Sequence, residues 1–109
     1  MKAVVAASQH WMDGNAIRDQ LVELPISTTV VVADRTGGDT LVARIAEEEM
    51  ALQVEKIAIA ESNYKQIMRQ EIDDDADVVL VFCENSKEAE YVLAKHSRSA
   101  GVETKIVMP

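Results

Sequence analysis

The 109-residue sequence contains a single cysteine and no long apolar run. With Cys83 alone the chain cannot form an internal disulfide, which fits a protein kept in a reducing compartment. No stretch approaches the roughly 20 apolar residues of a membrane-spanning helix, and a short strand directly after Met1 leaves no room for the apolar region of a signal peptide. We therefore expect a cytoplasmic protein that does not insert into membranes.

Positive charge is also scarce. Eleven Lys and Arg residues stand against nineteen Asp and Glu residues, which gives a formal net charge of −8. Such a charge repels nucleic-acid backbones and anionic membrane surfaces at long range, so we expect neither as a partner. Binding to a basic protein partner stays open.

Apolar segments alternate with amphipathic ones along the whole chain, without linkers or repeats. The predicted strands lie at residues 3–7, 28–33, 54–59, 78–82 and 105–108. Four helices are predicted between them, with Asp13 as a cap of the first and Pro25 at its end. This alternation predicts a single α/β domain over residues 1–109: a doubly wound, Rossmann-like sheet of five parallel strands with helices on both faces.

The stripes of apolar residues predict which side of each helix faces the core. For the first helix the stripe is Ile17, Leu21, Val22 and Leu24. For the fourth helix we expect Asn85 as the N-cap, Glu88 as its capping-box partner and Gly101 at the end. Its stripe is Ala89, Val92, Leu93 and His96.

Polar side chains follow the predicted strands at their C-terminal ends. If the strand order is 3-2-1-4-5, the loops after strands one and four flank the topological switch, where ligands bind in doubly wound sheets. Strand two leads into a Gly37–Gly38 turn and a helix N-terminus, and the free amides there suit an anion such as phosphate. The candidate ligand-binding residues are Ser8, Gln9, Trp11, Arg35, Thr36, Gly37, Gly38, Asp39, Asn85 and Ser86.

Each candidate also has a purely structural interpretation. The Gly37–Gly38 pair could be only a tight turn. Arg35 could hold phosphate, pair with Asp34 or point into solvent. Asp39 could accept hydrogen bonds from the amides of its own loop, and Trp11 could pack beneath the first loop instead of stacking on a base.

Other reactive side chains receive structural interpretations. For His10 we favour an exposed loop histidine over an acid–base group. Cys83 ends a buried strand, where a thiol is a poor nucleophile. The acidic run at residues 73–77 precedes strand four and so lies at the N-terminal ends of the strands, opposite the switch. It lacks the alternating spacing and the glycine of a calcium loop, so we expect a solvated turn. We expect neither a metal nor a cofactor.

Three segments match motifs of a known family. Ala7–Asp13 keeps the serine, tryptophan and aspartate of a Gly-Ser-Arg-x-Trp-x-Asp stretch, and Ala33–Asp39 keeps a glycine and the aspartate of a Gly-Gly-Ala-Arg-Gly-Ala-Asp loop. Met68 and the Asp77–Phe82 strand match later positions. On these residues the chain resembles the SLOG superfamily of Rossmann-like domains, nearest its YspA-like branch, over nearly its whole length.

The chain also departs from the family pattern. Gln9 replaces an arginine, Asp34 stands in place of a glycine, and Ser86–Ala89 lacks the glycine of the usual Ser-x-Gly-Thr. Tyr64–Lys65 stands near the place of an Arg-Asn pair. The Pro-Gly-Gly-x-Gly-Thr-x-x-Glu motif of the enzymatic relatives is absent.

The resemblance implies a small module that binds a nucleotide or a nucleotide-derived ligand. In this hypothesis Gly37, Gly38 and the N-terminus of the fourth helix hold phosphate. Polar edges are read by Ser8, Gln9 and Asn85, and the base stacks on Trp11 or Tyr64.

Two alternatives stay open. One is a protein-interaction module whose pocket has decayed, as occurs in compact phage or mobile-element proteins. The other is a hydrolase of a nucleotide N-glycosidic bond with Glu84 or Asp39 as the acid–base residue, although the sequence favours a non-enzyme. SLOG-like domains commonly pair, so we expect a homo-oligomer that uses helix faces around Tyr91.

Overall fold

The computed structural model describes residues 1–109 and contains the five predicted strands. They are β1 (Lys2–Ala7), β2 (Thr29–Ala33), β3 (Gln53–Ile57), β4 (Val78–Phe82) and β5 (Glu103–Val107). All neighbouring strands are parallel, and their order across the sheet is β3-β2-β1-β4-β5. The predicted doubly wound α/β fold is confirmed, and its topological switch lies between β1 and β4.

The helices connect successive strands. They are α1 (Gly14–Leu21), α2 (Gly38–Arg44), α3 (Tyr64–Asp73) and α4 (Ala89–Ser99). A five-residue π-helical turn at Ile45–Glu49 continues α2, and a 3₁₀ turn at Glu61–Asn63 precedes α3. None of these helices has both the length and the apolar character that a membrane crossing requires.

The sheet carries one apolar cluster on each face, because successive side chains of a strand point to opposite sides. Along β1, Ala3, Val5 and Ala7 pack with α1 and α2, while Val4 and Ala6 pack with α3 and α4. All five residues of β4 are buried, which confirms it as a central strand covered on both faces. This two-sided burial leaves the loops at the ends of the strands as the places where polar side chains can gather.

The predicted start of the fourth helix is wrong. Helix α4 begins at Ala89, and Glu88 occupies the N-cap position. The Asn85 side chain instead accepts a hydrogen bond from the Lys87 amide at 2.9 Å, which closes a local turn before the helix. Short polar side chains commonly make such turns, and these compete with helix capping.

Two of the predicted helix stripes need correction. Val22 is 67% exposed because α1 ends one residue earlier, at Leu21. In α4 the buried face is shifted from the predicted one and consists of Glu90, Leu93, Ala94 and Ser97. Gly101 follows the end of α4 with a φ of 80°, as its predicted role in helix termination requires.

Candidate functional site

The loops after β1 and β2 are locked together by backbone contacts. Gly37 has a φ of 88°, and the Gly38 amide donates to the Ser8 carbonyl oxygen at 3.1 Å. A Cβ atom at Gly38 would lie 2.2 Å from that oxygen, and one at Gly37 would lie 2.3 Å from the Gln9 carbonyl oxygen. Both glycines are thus required by contact with the first loop, and the Gly38 amide is already occupied.

Arg35 lies at the centre of a buried charged cluster. Its Nε donates to Asp39 Oδ2 at 2.7 Å, and its Nη2 donates to Glu90 Oε2 at 3.0 Å and to the Ala7 carbonyl oxygen at 3.1 Å. The guanidinium carbon lies 3.6 Å from the centre of the Tyr64 ring, a cation–π contact. The Arg35 side chain is only 8% exposed, so this cluster fixes it inside the protein.

The pKa values of this cluster reflect two carboxylates that share one cation. Burial raises the pKa of Asp39 to about 6, despite the opposing effects of Arg35 and of the Ala7 amide, which donates to Asp39 Oδ1 at 2.9 Å. Burial and the charges of Asp39 and Glu90 raise the pKa of the Tyr64 phenol. Its hydroxyl lies beside Glu90 but reaches no partner with hydrogen-bond geometry.

This cluster corrects the sequence-based interpretation of Arg35, which pairs neither with Asp34 nor with solvent. Its second partner, Glu90, is a residue that the sequence did not single out. A signal was present, since Glu90 lies three, four and seven residues before Leu93, Ala94 and Ser97 on one helix face. A glutamate on such a buried face requires an internal cation.

Glu88 builds a second, more open network at the turn between β4 and α4. Its Oε2 accepts from the Ser8 hydroxyl at 2.6 Å, and its Oε1 accepts from the amides of Glu84 and Asn85. Although partial burial raises the pKa of Glu88, these hydrogen bonds lower it below its usual value overall. The position where a phosphate would meet these amides therefore holds a carboxylate of the protein itself.

Between the two networks lies a small acidic crevice of about 190 Å³. It is lined by Ser8, Gln9, His10, Arg35, Glu61, Glu88, Ala89 and Glu90. Gln9 Nε2 donates to Glu61 Oε1 at 3.0 Å, and Arg35 Nη1 lies 3.8 Å from the same oxygen. We name this cavity the acidic crevice, since three carboxylates face it and Arg35 is the single arginine or lysine in its lining.

The structure brings only some of the ten candidate residues together. Ser8, Gln9 and Arg35 line the acidic crevice, and Asp39 supports it from within. Gly37 and Gly38 hold the first loop, and Thr36, Asn85 and Ser86 are exposed on neighbouring turns.

Trp11 packs beneath the first loop, as one of its two interpretations predicts. Its side chain is 5% exposed, its ring centre lies 5.6 Å from that of Phe82, and its Nε1 donates to the Asp13 carbonyl oxygen. Cys83 is fully buried, and burial together with the nearby Glu88 and Glu90 charges raises its thiol pKa to about 11. A thiol held protonated in this way is a poor nucleophile at neutral pH.

The acidic run before β4 lies at the N-terminal ends of the strands, opposite the switch, as predicted. Asp77 Oδ2 accepts from the Lys2 amide at 2.7 Å, and the Asp74 carbonyl oxygen accepts from Lys2 Nζ at 2.7 Å. Asp73 Oδ1 lies 2.8 Å from His96 Nε2 and so links α3 to α4. These contacts tie the run to the start of β1 and to α4.

Comparison with protein-family models and with curated protein sequences found no match to this chain. The resemblance to SLOG domains therefore stays a prediction based on the residues quoted above.

Proposed function

We propose that the protein is a small module that binds a nucleotide-derived ligand in the acidic crevice, through the ligand's hydroxyl groups. The supporting observation is that three carboxylates line this crevice, while turn amides expected to hold phosphate are already bonded within the protein. The Gly38 amide donates to the Ser8 carbonyl oxygen, and the Glu84 and Asn85 amides donate to Glu88. A phosphate would have to displace these groups and approach Glu61, which costs electrostatic energy.

Hydroxyl groups suit the crevice better than phosphates. Carboxylates such as Glu61 and Glu88 accept strong, charge-assisted hydrogen bonds from hydroxyl donors. The free hydrogens of Arg35 Nη1 and the Gln9 amide supply donors for the hydroxyl oxygens. At about 190 Å³ the crevice is smaller than a typical ligand pocket of ~300–1,000 Å³, so it admits one part of a ligand, such as a sugar.

The SLOG resemblance supports a nucleotide-derived ligand, and the ribose of such a ligand carries the required hydroxyl groups. The switch between β1 and β4 supports the location, since doubly wound sheets bind ligands there. The reduced, buried Cys83 agrees with a cytoplasmic protein.

Calorimetry tests the proposal by comparing adenosine with adenosine 5′-monophosphate. We expect adenosine to bind at least as tightly as the monophosphate, because three carboxylates face the crevice and repel a phosphate. Glu61→Gln should weaken adenosine binding by about tenfold, the loss of one charge-assisted hydrogen bond. Glu103→Gln, an exposed change at the other edge of the sheet, is the matched control and should bind normally.

Two outcomes would overturn the proposal. Absence of heat with every nucleoside and nucleotide would remove ligand binding altogether. Much tighter binding of the monophosphate would replace hydroxyl recognition with phosphate recognition.

A protein-interaction module is the second candidate, favoured by the same internal use of the phosphate-binding amides. A pocket whose amides are bonded to Glu88 and to the Ser8 carbonyl oxygen is what a decayed site looks like. Under this candidate the exposed surface carries the function, and substitutions in the acidic crevice leave partner binding unchanged. Catalysis on an N-glycosidic bond with Asp39 as the acid–base residue has weaker support, since Asp39 is 1% exposed and fixed by Arg35.

Self-association around Tyr91 is a further part of the proposal. Tyr91 is half-buried and packs against the apolar cluster beneath α3 and α4. Sedimentation at micromolar concentration tests it, and a monomer there would contradict it.

A further inference from the structure

A second cavity lies on the other side of the first loop and has a different chemistry. It is a cleft of about 510 Å³, larger than the acidic crevice and within the range of small-molecule sites. Its apolar lining consists of Trp11, Met12, Ala16, Val107 and Met108. We name it the methionine cleft.

The methionine cleft exposes apolar surface that the fold does not cover. Met12 is 88% exposed and Met108 is 46% exposed, and they are two of the five large apolar side chains with such exposure. Methionine is flexible and polarizable, so a pair of them can adapt to an apolar group placed between them. Trp11 forms a rigid wall, since its ring packs on Phe82 and its Nε1 is bonded to the Asp13 carbonyl oxygen.

The charged groups at the mouth of the cleft are negative. Asp13 and Glu84 belong to its lining, and no lysine or arginine does. The Glu84 carboxylate makes no hydrogen bond or ion pair. Asp13 uses Oδ1 to cap α1, which leaves Oδ2 without a partner. The remaining polar side chain is that of His10, which also lines the acidic crevice.

We propose that the methionine cleft binds a small organic cation with an apolar body, such as a hydrophobic amine. The apolar body lies between Met12 and Met108 against Trp11, and the ammonium group meets the free carboxylates of Glu84 and Asp13. A neutral ligand would gain only the apolar contact, and an anion would be repelled by both carboxylates and by the net charge of −8. The proposed cation and the proposed ligand of the acidic crevice bind in different cavities, which share only His10 in their linings.

The fluorescence of Trp11, the one tryptophan of the chain, reports binding in the cleft directly. We would titrate the protein with 2-phenylethylammonium chloride, with 2-phenylethanol as a neutral ligand of similar shape, and with phenylacetate as an anion. We expect the cation to bind at least tenfold more tightly than the alcohol, and the anion to cause no change. Sodium chloride at equal concentration controls for ionic strength.

Two substitutions separate the charge from the apolar contact. Glu84→Gln should remove most of the preference for the cation and keep the weak binding of the alcohol. Met12→Lys should abolish binding of the cation. Ile26→Lys is the matched control, because Ile26 is 86% exposed and lies before β2, at the N-terminal ends of the strands.

The outcomes are distinguishable from those of the acidic crevice. Glu61→Gln should leave cation binding unchanged, whatever its effect on adenosine. Equal affinities for cation and alcohol, or a cation preference that survives Glu84→Gln, would overturn the proposal. No response to any of the three probes, by fluorescence or by NMR of the cleft amides, would also overturn it.

Discussion

Asp39 and Glu88 perform the same local task in different surroundings. Asp39 accepts one backbone amide and the Arg35 guanidinium, and Glu88 accepts two backbone amides and the Ser8 hydroxyl. Asp39 is 1% exposed and its pKa is raised to about 6, whereas Glu88 is partly exposed and its pKa is lowered. Burial thus decides whether a hydrogen-bonded carboxylate has a raised or a lowered pKa.

The comparison distinguishes a carboxylate that stabilises the fold from one that a ligand can reach. The Asp39 cluster is buried and bonded to Arg35, so a change there leaves a buried charge without its partner. The Glu88 network faces the acidic crevice, where its carboxylate can accept hydrogen bonds from a ligand. The proposed ligand contacts with carboxylates therefore lie after β3, at Glu61, and after β4, at Glu88, although the glycines after β2 looked like the stronger sequence signal.

The largest expected effect comes from removing the cation of the buried cluster. Arg35→Met should lower the free energy of unfolding by about 3–5 kcal/mol, because two buried carboxylates lose their shared partner. Urea denaturation measures this loss. Arg18→Met is the matched control, since the Arg18–Glu49 pair is exposed and exposed pairs contribute little. Equal losses in the two variants would show that the Arg35 cluster is not stabilising.

The raised pKa of Asp39 makes stability depend on pH in a defined direction. The folded protein binds a proton at Asp39 that the unfolded chain, with a pKa near 3.8, has already released. This contribution to the free energy of unfolding is complete below about pH 4 and is lost as the pH rises through about 6, by about 3 kcal/mol. Denaturation of wild type and Asp39→Asn over this range measures it.

The difference between these two profiles isolates Asp39 from the other carboxyl groups. Asp34→Asn, an exposed neighbour without a side-chain partner, should leave the wild-type profile unchanged. A wild-type stability that rises between pH 4 and pH 6 relative to Asp39→Asn would reverse the sign and refute the raised pKa.

The next effect concerns the backbone contact that joins the first two loops. Gly38→Ala places a Cβ 2.2 Å from the Ser8 carbonyl oxygen and should destabilise the protein by about 1–3 kcal/mol through overpacking. Thermal unfolding measures it. Gly14→Ala is the control, because its Cβ would meet the flexible end of Arg18 at 3.1 Å and make an ordinary contact with Ile45 Cδ1 at 3.5 Å. Similar melting temperatures for the two variants would mean that the loops separate easily.

The sequence was sufficient for the sheet and for part of the site. Apolar runs identified β1, β2 and β4, spaced apolar residues marked β3, and the cap at Asp13 is confirmed by its bonds to the amides of Asn15 and Ala16. The switch between β1 and β4 correctly placed Ser8 and Gln9 beside the turn after β4. These features depend on local patterns and on the general rules of doubly wound sheets.

The missed features depend on contacts between distant residues. Arg35 and Glu90 are 55 positions apart, so no local pattern indicates their pairing. The predicted start of α4 was wrong for two reasons. The Asn85 side chain closes a turn, and the Glu88 side chain accepts from the Glu84 amide in the same turn. A phosphate site was expected because turn amides can be inferred from a sequence, whereas the Ser8 carbonyl oxygen and the Glu88 carboxylate that occupy them cannot.

The smallest expected effect tests the exposed side of the comparison. Because the fold lowers the pKa of Glu88, the ionised form stabilises the protein above the usual carboxyl pKa of about 4.3. This contribution is lost as the pH falls through the lowered value, which is opposite in sign to Asp39. Glu88→Gln should therefore be less stable than wild type at neutral pH and approach it in acid.

The Glu84 side chain has no partner, so Glu84→Gln is the control and should have the stability of wild type at every pH. A Glu88→Gln profile parallel to wild type would show that its bonds to Ser8 and the turn amides do not favour the charged form. Exchange of those bonds for a ligand's hydroxyl groups would then have no energetic basis.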